Sequence, residues 1–180
     1  MPLPVAHSVI GASVAAALHR KSEGWWKVLC LSAFLGVSPD FDYLLNWLRI
    51  GRGGWHHGFT HSIVFAIVVG AVTALLTRWR SLRSFIVFSA ATASHTLLDY
   101  LMTESRGVSL WWPFTDRRYK LRGPNPIDYT WSTESFSDAA VDILRICLTE
   151  LIIFGPILLV ILLLRNRIDR TVGVSKGEQH

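Results

Sequence analysis

The chain has 180 residues, of which 51% are hydrophobic and only 17% charged, and its mean hydropathy is +0.34. A soluble domain carries about 25% charged residues, so the composition excludes an ordinary soluble enzyme, and the length fits one compact domain. The formal net charge of +5 argues for lipid contact and membrane topology and for no nucleic-acid partner, because the basic residues sit mainly in short loops between apolar runs.

Five apolar stretches follow one another. The first, from about Val5 to Leu18, is rich in Ala, Gly and Ser. Positive charge comes only after it, at Arg20 and Lys21, the reverse of a secretory signal. The second runs from Trp25 to Leu45 and is broken at Ser38-Pro39-Asp40. The third covers Ser62 to Thr77 and the fourth Ser84 to Met102. The segment from Thr103 to Leu144 is polar and aromatic and reads as a long extramembrane loop. Trp111 and Trp112 suit the membrane interface, and Ser137-Asp138 can cap an amphipathic start to the last helix. The fifth stretch, Ile146 to Leu164, is interrupted only by Glu150 and by a kink at Gly155-Pro156. Cys30 and Cys147 lie inside apolar runs as small core residues.

The fifth stretch is long enough to cross a bilayer. The first, third and fourth hold about 14–16 uncharged residues where a perpendicular span needs roughly 20, so their helices are expected to continue into the polar residues at their ends. The predicted fold is all-α, an integral membrane bundle of four to five helices. Residues 1–170 are expected to form one membrane-embedded domain and 171–180 a flexible tail.

If the stretches alternate in direction, one side receives Arg20, Lys21 and Lys27, then Arg78, Arg80 and Arg83, then Arg165, Arg167 and Arg170. The positive-inside rule makes that side cytoplasmic, although Arg117, Arg118, Lys120 and Arg122 fall opposite. The other side gathers His7, Asp40, Asp42, His56, His57, His61, His95 and Asp99. Polar ends of four helices thus meet at one rim, where ionisable residues point to function.

The most telling local run is His56-His57-Gly58-Phe59-Thr60-His61-Ser62. Neutral imidazole is a good ligand for zinc and its neighbours. On a continuous helix His57 and His61 share a face. Gly58 suggests a later start with Thr60 as N-cap, and His56 then also points inward. His95 and Asp99 share a helical face, as co-ligands or as ligand and orienting carboxylate. Asp40 and Asp42 form a carboxylate pair after Pro39. Glu150 can act as ligand, proton carrier or partner of Arg145. Histidine-plus-carboxylate sets favour zinc, with manganese or iron as alternatives. So many donors suit two ions, an arrangement that activates water for phosphoester displacement.

His7, Pro39-Asp40-Phe41-Asp42, the His56–Ser62 run, Ser94-His95-Thr96-Leu97-Leu98-Asp99 and Leu110-Trp111-Trp112-Pro113 occur in this order. Over roughly residues 1–120 the set resembles the YdjM-type bacterial inner-membrane metal-dependent hydrolases. The family pattern His-Arg-Gly-x-Thr-His-Ser maps its histidines to His56 and His61, with His57 replacing the arginine. The resemblance implies His56 as the ligand and a multi-pass place in the inner membrane.

Residues and resemblance together predict a metal centre held by His7, Asp40, Asp42, His56, His61, His95 and Asp99, on the extracytoplasmic face. It would hydrolyse a phosphoester or lipid-linked substrate, with His57 as acid or base and Arg117, or its neighbour Arg118, stabilising phosphate charge. The alternatives are a metal-stabilised membrane protein without activity and a small transporter, whose polar residues would lie nearer the bilayer midplane.

Overall fold

The computed structural model describes residues 2–19, 24–48, 56–102, 106–121, 127–130, 132 and 135–177, without the side chains of 46 and 170–177. Arg20, Lys21 and Arg122 lie outside the described residues. The fold is the helical membrane bundle expected. Its elements are α1 (Pro4–Leu18), α2 (Trp25–Val37), α3 (Asp42–Trp47), α4 (Ile63–Leu76), α5 (Leu82–Met102) and α6 (Phe136–Gly177). Trp25–Leu45, Leu82–Met102 and Phe136–Asp169 are long and apolar enough to cross a membrane, whereas α1 and α4 are shorter apolar helices.

Each boundary has a local cause. Pro4 stands in the first turn of α1, where a missing N–H costs nothing. After Val37 the chain tightens into a 3-10 turn over Ser38–Phe41 at Pro39, then resumes as α3. α4 does not continue into the histidine run. Ser62, not Thr60, is its N-cap, with its hydroxyl accepting the Phe65 N–H at 3.1 Å. At α6 the capping hydroxyl is that of Ser135, which accepts the Asp138 N–H at 3.2 Å, rather than Ser137 or Asp138. Pro156 lies within α6, and the helix runs on to Gly177, into the residues expected as a tail.

α1 packs against α2, α5 and α6. Its crossing with α2 is a backbone contact between Gly11 and Gly36. A Cβ on Gly36 would strike the His7 carbonyl, and one on Gly11 would strike that of Ser32. Small residues permit this approach, as is common between membrane helices. Ala15, Val28, Leu35, Val87, Phe88 and Ala91 fill the bundle centre. The outward faces of α4 and α6 leave Val68, Leu75, Leu76, Ile152 and Leu163 exposed, as a lipid-facing surface requires.

α6 clamps α1 at both ends. Glu150 accepts N–H groups of Leu3 and Ala6 at the start of α1. Arg165 donates to the Ala16 carbonyl near its end, joined by Arg83 of α5, whose Nε donates to the Leu18 carbonyl at 2.9 Å. Acid thus meets the positive end of the helix dipole and base the negative end. Glu150 is therefore neither a metal ligand nor the partner of Arg145, which pairs with Asp142 at 3.6 Å.

The long loop is partly ordered against the histidine run. Val108 and Tyr119 form an antiparallel bridge. The Ser109 N–H donates to the His57 carbonyl at 3.0 Å, and the Ile63 N–H to the Leu110 carbonyl at 3.1 Å.

Candidate metal centre

Three pieces of chain converge at one end of the bundle. The turn after α2 delivers Asp40, and the 3-10 turn Phe59–His61 delivers His61. α5 presents His95 and Asp99 one helical turn apart. These four offer one donor atom each, all within 4.8 Å of one another.

The separations are informative. His61 Nε2 lies 3.0 Å from His95 Nε2, 3.2 Å from Asp99 Oδ2 and 3.7 Å from Asp40 Oδ1. His95 Nε2 lies 3.4 Å from both Asp40 Oδ1 and Asp99 Oδ2. Tetrahedral zinc with bonds of about 2.0–2.2 Å has donor–donor edges of about 3.3–3.6 Å. Five of the six edges of the four-atom group thus lie at 3.0–3.7 Å, near those of such a tetrahedron.

Proton bookkeeping reaches the same result. His95 Nδ1 lies 2.7 Å from the Gly36 carbonyl, which can only accept, so Nδ1 carries the proton. The Thr60 hydroxyl donates to Asp42 Oδ2 at 2.7 Å and therefore accepts from His61 Nδ1 at 2.9 Å. Both Nε2 atoms are left with lone pairs that face each other, and a cation between them would relieve that repulsion. A shared proton would serve that pair alone. Asp40 Oδ1 and both Asp99 oxygens, all buried, have no hydrogen-bond partner among the described residues. Buried polar atoms are rarely left so, and a metal ion in the four-donor group would satisfy Asp40 Oδ1 and Asp99 Oδ2 together. The donor set fits zinc.

Asp42 corrects one expectation. It stands behind His61 and is fully engaged there, with Oδ2 taken by Thr60 and Oδ1 3.0 Å from His56 Nδ1. Through Thr60 it is the carboxylate that orients the His61 ring.

His7, His56 and His57 surround this core. His7 is fully buried and stacked on His95 with ring centroids 3.7 Å apart, and its Nε2 lies 3.6 Å from Asp99 Oδ1. Neither of its ring nitrogens has a hydrogen-bond partner among the described residues. His56 stacks on Tyr43. His56, His57 and His61 form a second group whose ring nitrogens lie within 4.8 Å of one another. His57 has a left-handed backbone, φ 62°, uncommon for a residue other than glycine. Its Nε2 is 3.4 Å from Asp99 Oδ2. Burial pushes the His57 imidazole below its ordinary pKa, against the opposing pull of Asp99.

Arg117 lies elsewhere. It is exposed, with its guanidinium over the Tyr119 ring, and it takes no part in the cluster. The Gly36 carbonyl, Thr60 and Glu150 are the supporting groups whose roles the sequence reading did not assign.

Residues 1–170 match the YdjM inner membrane protein family, and the chain belongs to it. It is also 30% identical over 125 residues to inner membrane protein YbcI of Escherichia coli strain K12, a match covering 66% of this chain and 72% of that protein. No solved structure matches the chain. A bacterial inner-membrane location follows from the family and the three candidate spans.

Proposed function

We propose that this member of the YdjM family is a membrane-bound metal-dependent hydrolase acting on a phosphoester or lipid-linked substrate. The carrying observation is the group formed by Asp40, His61, His95 and Asp99, whose donor atoms stand 3.0–3.7 Å apart along five of their six separations. Zinc held there would supply Lewis acidity and an acidified water. The protein's own part is to hold the site. Gly36 and the Thr60–Asp42 pair fix two imidazoles with Nε2 inward, and Asp99 supplies compensating charge. His57, beside Asp99, is positioned to hold or release a proton. Manganese and iron are the alternatives to zinc, and with both His61 nitrogens already engaged the His56, His57 and His61 group is assigned no second ion. The basic loops, under the positive-inside rule, support an extracytoplasmic face for the site.

A second reading has its own support. Four protein donors complete a tetrahedron, as in structural zinc sites, which would make this a metal-stabilised protein without activity. The unpaired nitrogens of fully buried His7 favour the catalytic reading, because a purely structural site has no need of them. The test is elemental analysis of purified protein together with a screen of zinc- and manganese-loaded protein against phosphomonoesters, phosphodiesters and phospholipids. Bound metal with turnover that is lost in His57→Gln supports the hydrolase. Bound metal without turnover selects the structural reading, and protein without metal after zinc loading removes both.

A further inference from the structure

At the opposite end of the bundle, α1, α5 and α6 line an open cavity of about 340 Å³. Its charged lining is Arg83, Arg165 and Asp169, and its apolar wall includes Leu18, Ile161 and Leu164. The two arginines come from different helices and are both anchored on α1 carbonyls. That anchoring takes one N–H of each guanidinium. Five donors per guanidinium leave most of them for another acceptor. The buried Nε of Arg165 has no hydrogen-bond partner among the described residues. Asp169 forms no ion pair among the described residues, although it lines the same cavity.

Two converging guanidiniums are a phosphate-binding arrangement. An adjacent carboxylate opposes a purely anionic ligand but suits one that carries phosphate and ammonium together. The apolar wall is shared by α1 and α6, with Leu18 and Leu164 exposed, so a ligand that brings hydrocarbon with it suits the site. Basic pockets between transmembrane helices take lipid headgroups in this way. We propose that this cavity binds an aminophospholipid, with its phosphate on Arg83 and Arg165 and its primary ammonium on Asp169. Phosphatidylethanolamine has this chemistry. Phosphatidylglycerol lacks the ammonium, and phosphatidylcholine has no N–H to give the carboxylate.

The experiment uses delipidated full-length protein in detergent, titrated with short-chain phosphatidylethanolamine, phosphatidylglycerol, phosphatidylcholine or inorganic phosphate. Binding is read by native mass spectrometry and by tryptophan fluorescence, since Trp25 lies under the Arg165 guanidinium. The expected result is phosphatidylethanolamine bound at least fivefold tighter than the other two lipids. Asp169→Asn, a change at an exposed position, abolishes that preference while phosphatidylglycerol still binds. Arg83→Gln, whose helicity is checked by circular dichroism, weakens all three lipids. Equal affinity for the three lipids, an unchanged preference in Asp169→Asn, or inorganic phosphate binding as tightly as the lipid would each overturn the proposal.

Discussion

Glu150 accepts the backbone N–H of Ala6 at 2.9 Å across 144 positions of sequence. A carboxyl group buried in the last helix thus holds the first helix by its N-terminus, one residue before His7. Leu3 and Ala6 have no α1 carbonyls to donate to, so Glu150 supplies the acceptors. Glu150→Ala leaves the buried Ala6 donor unsatisfied, at about 1–3 kcal/mol, and the half-buried Leu3 donor at less. The expected outcome in thermal unfolding of detergent-solubilised protein is a clear drop in midpoint. Glu150→Gln, which keeps one acceptor oxygen, should lose less. An unchanged midpoint in Glu150→Ala would show that α1 is held by packing alone.

Metal binding should be graded by position. Asp99→Ala or His95→Ala removes a donor from the four-atom group and should abolish stoichiometric zinc. Asp42→Asn spares the donors and disturbs only the support of His61, and loss of such support costs about 10–100-fold in affinity. Competition titration against a chelating dye reads both. If Asp42→Asn were as severe as Asp99→Ala, Asp42 would itself be a ligand.

Zinc should stabilise the fold. Metal bound only to the folded state adds about 2.7 kcal/mol at a free concentration one hundred times the dissociation constant. Unfolding temperature should rise with added zinc and fall with chelator. In a His61→Ala, His95→Ala double variant it should respond to neither. A zinc response that survives in that variant would place the ion elsewhere.

Gly36 serves two purposes. It lets α1 approach, and its carbonyl receives His95. Gly36→Ala puts a methyl group against the His7 carbonyl. The expected cost is about 1–3 kcal/mol, the usual range for overpacking, together with weaker zinc binding because His95 loses its anchor. Denaturant unfolding and the same dye titration check the two effects separately. Wild-type behaviour in both would mean the helices can separate without consequence.

The residues of the four-donor group were legible in the sequence because an imidazole or carboxylate in an apolar run is conspicuous, and because alternating helix direction alone gathers them at one end. The interruption at Pro39 was also visible, as was the delayed start of the helix after Gly58. The division of labour among the acids was not. Asp40 and Asp42 stand two positions apart with the same neighbours in sequence, yet the 3-10 turn carries one to the donor group and the other behind His61. The role of Glu150 depends on an α1–α6 contact that no local pattern records. Arg117 shows the converse, because its charge is visible in sequence but the direction of its guanidinium is set by the Tyr119 ring.

The length of α4 reaches beyond the protein. Its 14 residues rise about 21 Å, while a bilayer's hydrocarbon layer is about 30 Å thick. Its outer face is apolar and open to lipid, and a short helix cannot gain reach by tilting. The surrounding acyl chains must instead compress, at a fraction of a kcal/mol per ångström. On this flank the protein would sit in a dimple of its own making, with phosphate groups drawn down toward the level of the histidines. Membranes of shorter-chain lipids should therefore hold it with the least deformation.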